Sequence, residues 1–366
     1  MRKPILLITG IFTVFFAVNT KYAGAQDALE WFREIQANGF VSSAYTYNFN
    51  RPSDSKNHIR IFDTDDNSFK PDVAELVFQK QTADPGSVGF RFDLNYGYSV
   101  PSVIHSAGMA QSNDFDLQQG YVSYNAPVGN GLQLDFGKFI THMGLEVIEG
   151  YDGWNYNYSR SILFGYAIPF THTGIRASYN FNDVFSAMLM VVNGWDNVVD
   201  NNDSKTLCFH LGIAPWKEVS LSLNYVGGPE QDNNDRNWRH GVNAVLIIKP
   251  AERWELQLNG DYGNEEMGPG NGNVEWGGFE GVVRYALTDF LAVNLRGEYF
   301  DDGDGARTGT SQELWEMTLT PEITISEHLI LRPEYRHDES SVGFFDDHGR
   351  AGKSQDTIAL NAIFHF

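Results

Sequence analysis

DTIALNAIFHF, residues 356–366, closes the chain, and Ile358, Leu360, Ala362, Phe364 and Phe366 all fall on one parity. In extended backbone those five side chains share a face. A chain terminus is usually polar and frayed. This one reads as a strand with an apolar surface to sit against. The same alternation recurs upstream. In SVGFRFDLNYG (87–97), Val88, Phe90, Phe92, Leu94 and Tyr96 oppose Gly89, Arg91, Asp93 and Asn95. In GIRASYNF (174–181), Ile175, Ala177, Tyr179 and Phe181 oppose Arg176, Ser178 and Asn180. WELQLNGDY (254–262) and LILRPEYRHD (329–338) repeat the pattern, the second with Arg332, Glu334 and Arg336 on its polar side.

By this criterion about sixteen strands are predicted, and the links between them alternate short and long. Asn182-Asp183, Pro250-Ala251, Thr288-Asp289 and APVGNG (126–131) are tight; 50–72, 139–172, 302–312 and 338–355 are long. A soluble sandwich has no reason to keep its long loops at one end. An up-and-down antiparallel transmembrane β-barrel does, with short periplasmic turns and long extracellular loops. Its strands must close on one another, because an unpaired edge in hydrocarbon costs several kcal/mol per backbone group. The last strand therefore pairs with the first. In bacterial outer-membrane barrels a terminal aromatic is also what the barrel-assembly machinery recognises, which makes Phe366 the expected assembly signal.

Composition agrees. The net charge is −21, which excludes nucleic acid as a partner. Aromatic residues make up 14 % of a chain whose mean hydropathy is only −0.33, as suits an apolar outside around a wet inside. The N-terminus pairs MRKP with ILLITGIFTVFFAV and a small-x-small site at Ala23–Ala25. It reads as a signal peptide over 1–25. A short periplasmic segment (26–39) and the barrel (40–366) follow.

LQLDFGKFITHMGLEVIEGYDGWNYNYSRSILFGYAIPFTHTGIRASYNFND, from residue 132, resembles the putative beta-barrel porin-2, OmpL-like family. So do AYTYNFN, RIFDTDDNSFKPDVAELVFQK and VVNGWDN. The resemblance implies a bacterial outer-membrane porin with no catalytic residues and no cofactor.

A barrel of this size leaves an aqueous channel. The candidate pore-lining residues are Arg91, Asp93, Arg176, Arg284, Arg296, Glu298, Arg332, Glu334 and Arg336. They would either set up a field across the lumen or pair across strands and stabilise the wall. The loop 139–172 is too long for a mere connection. It is expected either to fold inward and narrow the channel or to cap the barrel outside. Its constriction candidates are Glu146, Glu149, Asp152 and Arg160; if the loop folds inward, its rings would pack on the wall and its carboxylates would face the lumen. The expected function is passive diffusion of small polar solutes or ions, weakly favouring cations. Lipid, lipopolysaccharide and a second copy of the chain are the other expected partners.

Two alternatives stay open: a secreted soluble β-sheet protein binding carbohydrate through its tryptophans, and an outer-membrane barrel enzyme. The ten histidines show no HExxH and no zinc-type spacing with Cys208, so no metal site is expected.

Overall fold

The computed structural model describes residues 33–99, 115–151, 153–268 and 270–366. The signal peptide and Asp152 lie outside the described residues.

Period-two alternation becomes sixteen long strands. They are β1 (Gln36–Asn48), β2 (Ser68–Lys80), β3 (Val88–Tyr96), β4 (Phe115–Ala126), β5 (Leu132–Ile140), β6 (Thr171–Asn180), β7 (Phe185–Val192) and β8 (Thr206–Trp216). Then come β9 (Val219–Pro229), β10 (Trp238–Ala251), β11 (Trp254–Glu266), β12 (Asn273–Ala286), β13 (Leu291–Asp302), β14 (Gln312–Ser326), β15 (Leu329–Ser340) and β18 (Ser354–His365). A hairpin of β16 (Phe345–Asp347) and β17 (Arg350–Gly352) decorates the last long loop. Each long strand pairs antiparallel with its neighbours in one closed barrel, not in two stacked sheets. The barrel begins at Gln36 rather than at residue 40, and the long loop narrows to 141–170.

Closure is made by the segment that opened the sequence reading. On β18, Phe364 lies opposite Val41 and Ala362 opposite Ser43 of β1. Beyond the strand, Gly39 N–H donates to Phe366 O at 2.9 Å, and Phe366 N–H donates to Gly39 O at 3.0 Å. A Cβ on residue 39 would meet the Phe366 ring at 2.2 Å, so glycine here leaves room for the terminal ring to lie across the seam.

The outer face is apolar and uncovered. Phe69, Phe136 and Phe279 are 84 %, 64 % and 64 % exposed, in company with Leu258, Leu319, Ile358, Leu360 and Phe364. In water such a belt would forfeit about 25 cal/mol for every Å² of apolar surface. Facing acyl chains it forfeits nothing. Among the described residues no helix is long and apolar enough to cross a membrane; crossing is by strands.

The inner face departs from a uniformly wet wall. Met190 and Val192 (β7), Cys208 (β8), Val226 (β9), Trp276 (β12), Phe300 (β13) and Leu314 (β14) point inward and are buried. They pack with Ile162, Leu163, Phe164, Ile168 and Phe170 of the long loop into one apolar cluster. Polar alternation holds over much of the interior, but this part is a packed core.

Candidate functional site: the inward loop and the charged wall

Residues 141–170 leave β5, descend inside the barrel and return to β6. Tyr151 N–H donates to Glu75 of β2 at 2.8 Å. The Trp154 ring lies 4.7 Å from that of His365, near the short-turn rim. On the return, Asn157 Nδ2 donates to Thr320 Oγ1 at 2.7 Å. A single wide helical turn, Leu163–Ala167, then seats the loop beneath Trp276, whose Nε1 donates to Ala167 O at 3.0 Å.

Charge decides this path. Arg296 Nη1 on β13 meets Glu146 Oε1 of the loop at 2.7 Å, while its Nε meets Glu316 Oε1 at 2.7 Å. On β15, Arg332 Nη1 meets Glu149 Oε1 at 2.7 Å, and Arg160 Nη2 reaches Glu149 Oε2 at 3.2 Å. Burial raises the Glu149 carboxyl, but Arg160 and then Arg332 outweigh it and hold the group below the usual carboxylate range. The wall carboxylates act on the loop backbone instead. Glu298 accepts the N–H groups of Ile162 (2.5 Å) and Leu163 (3.1 Å), and Glu334 those of Tyr158 (2.7 Å) and Ser159 (3.0 Å). Arg336 bonds Asp338 and the Arg160 carbonyl.

Glu146 and Glu149 therefore face the wall, not the lumen as expected, and Arg160 joins them there. The reason is desolvation: a buried guanidinium without a carboxylate is far costlier than one salt-bridged and hydrogen-bonded. The rings behave as expected, with the Arg284 guanidinium 4.4 Å from the Tyr156 ring and that of Arg332 5.9 Å from the Tyr158 ring.

The candidate wall residues fall into two groups. Arg296, Glu298, Arg332, Glu334 and Arg336 are buried under the loop. Arg91, Arg176 and Arg284 keep side-chain exposures of 13 %, 21 % and 22 %, beside Asp93, Asp135 and Glu322 respectively. Sequence reading missed Arg239, which pairs with Glu265 at 2.7 Å in the same manner. It also gave no role to loop 49–67, whose Arg60 joins Asp63 (2.6 Å) and Asp338 (2.5 Å), and whose Phe62 ring underlies Arg160 at 4.5 Å. Arg60 sits between Ile59 and Ile61 in a loop without sustained periodicity, so only tertiary contact reveals its partners. Among the described residues, buried carboxylates outnumber buried cations.

A family model matches residues 34–366, nearly all of the described barrel. The chain belongs to the putative beta-barrel porin-2, OmpL-like family. No curated protein matches the sequence. Solved porins share the fold at low identity. An anion-selective porin from Comamonas acidovorans superposes with a TM-score of 0.63 at 11% identity, covering 91% of this chain and 99% of that one. The outer membrane channel DcaP of Acinetobacter baumannii gives 0.60 at 13%, covering 91% and 97%. OmpT of Vibrio cholerae in its trimer form gives 0.60 at 10%, covering 91% and 99%. This member of the porin-2 family is a bacterial outer-membrane barrel, and its closed barrel is not the soluble β-sheet of the carbohydrate-binding alternative.

Proposed function

We propose that the chain forms a water-filled channel for passive diffusion of small polar solutes or ions, narrowed by the inward loop 141–170. The observation that carries this is the division of the wall charges. One set is consumed in latching the loop to β13 and β15. The other, the guanidiniums of Arg91, Arg176, Arg239 and Arg284, keeps partial contact with solvent beside buried carboxylates. Solute passing the loop meets this second set, whose paired charges create a transverse field that sorts ions and orients dipoles.

The excess of buried acids supports a weak preference for cations. The Comamonas porin, anion-selective by its description, has only the fold in common with this chain. Planar-bilayer recording of the purified barrel in a salt gradient tests the reading. A reversal potential favouring anions would overturn the preference. Deleting residues 146–158 should raise single-channel conductance, and an unchanged value would remove the loop from the constriction. The trimer form of OmpT supports a homo-oligomer here too; mass determination in detergent checks it. Phe366, lying across the barrel seam, is proposed as the signal read by the assembly machinery.

A further inference from the structure

His142, His172 and Cys208 have no part in the conduction reading, yet the fold gathers them. One ligand atom from each lies within 4.8 Å of the others. They come from three separate segments: His142 just after β5 at the descending foot of the loop, His172 on β6 at the returning foot, and Cys208 on β8. No local spacing could have announced them, so the expectation of no His/Cys cluster fails here.

The hydrogen bonds fix where the ring lone pairs are. A backbone carbonyl can only accept. His142 Nε2 therefore carries the proton given to Tyr225 O at 3.1 Å, and His172 Nδ1 the proton given to Gly194 O at 3.2 Å. Each ring is left with its other nitrogen as a free base. On His172 that is Nε2, approached at 3.2 Å by the Thr141 hydroxyl. On His142 it is Nδ1, buried and without any hydrogen-bond partner. A buried polar atom left unpaired is expensive. A carbonyl holding the far nitrogen is also the arrangement that orients metal-binding imidazoles. Cys208 is fully buried, and Met190 lies opposite it on β7.

We propose that His142, His172 and Cys208 form a binding site for one thiophilic metal ion, Zn²⁺ or Cu⁺, that clamps both feet of the inward loop to β8. Two imidazoles and a thiolate suit these ions, whereas Mg²⁺ and Ca²⁺ require oxygen ligands. A loaded tetrahedral site places ligand atoms roughly 3.4 Å apart, so small side-chain rotations complete it. Binding converts the Cys208 thiol to thiolate and releases one proton to solvent. The fourth position is left to water or another small ligand. The site stands whether or not the barrel conducts.

The test uses the purified full-length barrel, stripped with chelator and titrated with Zn²⁺, with Cu⁺ under reductant, and with Co²⁺ as a spectroscopic probe. One ion per chain is expected, undisturbed by excess Mg²⁺ or Ca²⁺. Cys208→Ser and His142→Gln should each weaken binding at least 100-fold, while His328→Ala at the opposite rim leaves it unchanged. Cys208 is the only cysteine, so a thiolate-to-cobalt absorption band in the wild type reports this site even if a variant misfolds. Absence of that band, or equal stoichiometric binding in the folded Cys208→Ser variant, would overturn the proposal.

Discussion

Glu149→Gln removes one charge from the latch and leaves its shape. Glu149 Oε1 accepts from Arg332 Nη1 at 2.7 Å, Oε2 from Arg332 Nη2 and faces Arg160 Nη2, both at 3.2 Å, and Asn155 N–H donates to Oε1 at 3.1 Å. The substitution leaves two guanidiniums buried with no carboxylate between them. Breaking a buried pair on one side costs about 3–5 kcal/mol. The barrel is held by sixteen paired strands that do not depend on Glu149, so the cost falls on loop docking. At about 1.4 kcal/mol per factor of ten, the docking equilibrium shifts roughly 140- to 4,000-fold. Single-channel recording should then show a larger or flickering conductance, and limited proteolysis should cut within 141–170 where the native loop resists. The triple variant Glu149→Leu/Arg160→Met/Arg332→Met, which removes both guanidiniums along with the carboxylate, should recover much of the native behaviour, because an apolar replacement of a buried ion cluster is often neutral. Native conductance and native protease resistance in the single variant would show that the ion pair does not hold the loop.

Arg284→Ala frees Glu322, to which it donates at 2.7 and 2.9 Å; the reversal potential in a salt gradient should move toward cations, and Arg176→Ala, which frees Asp135, should act in the same direction. Gly39→Val drives a side chain into the Phe366 ring, so the folded, heat-modifiable band on a gel should disappear at a lower temperature than for the native barrel. Burial pushes the Glu230 carboxyl up to about 7, against its hydrogen bonds from Thr206 and Trp195 N–H and the pull of Arg239, with Asp196 adding to the rise. A carboxyl whose folded value is raised contributes stability below its unfolded value and loses it as pH climbs through the folded one. Hydrogen exchange in loop 193–205 should therefore quicken, beyond its intrinsic pH dependence, between about pH 5 and 8, and Glu230→Gln should flatten that excess.

The strand set, the closed antiparallel barrel and the outward parity of Ile358, Leu360 and Phe364 were legible in the chain by itself. Side chains alternate at a period of two, and a membrane permits no open edge, so local pattern and solvent together leave one architecture. FSAMLMVV (185–192), apolar on both parities, carried a faint signal of the inner core, since a strand covered on both faces reads as a continuous apolar run. The partners of Arg296 and Arg332, the turn of Glu146 and Glu149 toward the wall, and the meeting of His142 with His172 and Cys208 were not legible. Each joins residues far apart in the chain, and parity places a charge on the inner wall without naming the opposite charge it will find there. That choice is made by desolvation, which acts only once the loop has entered the barrel.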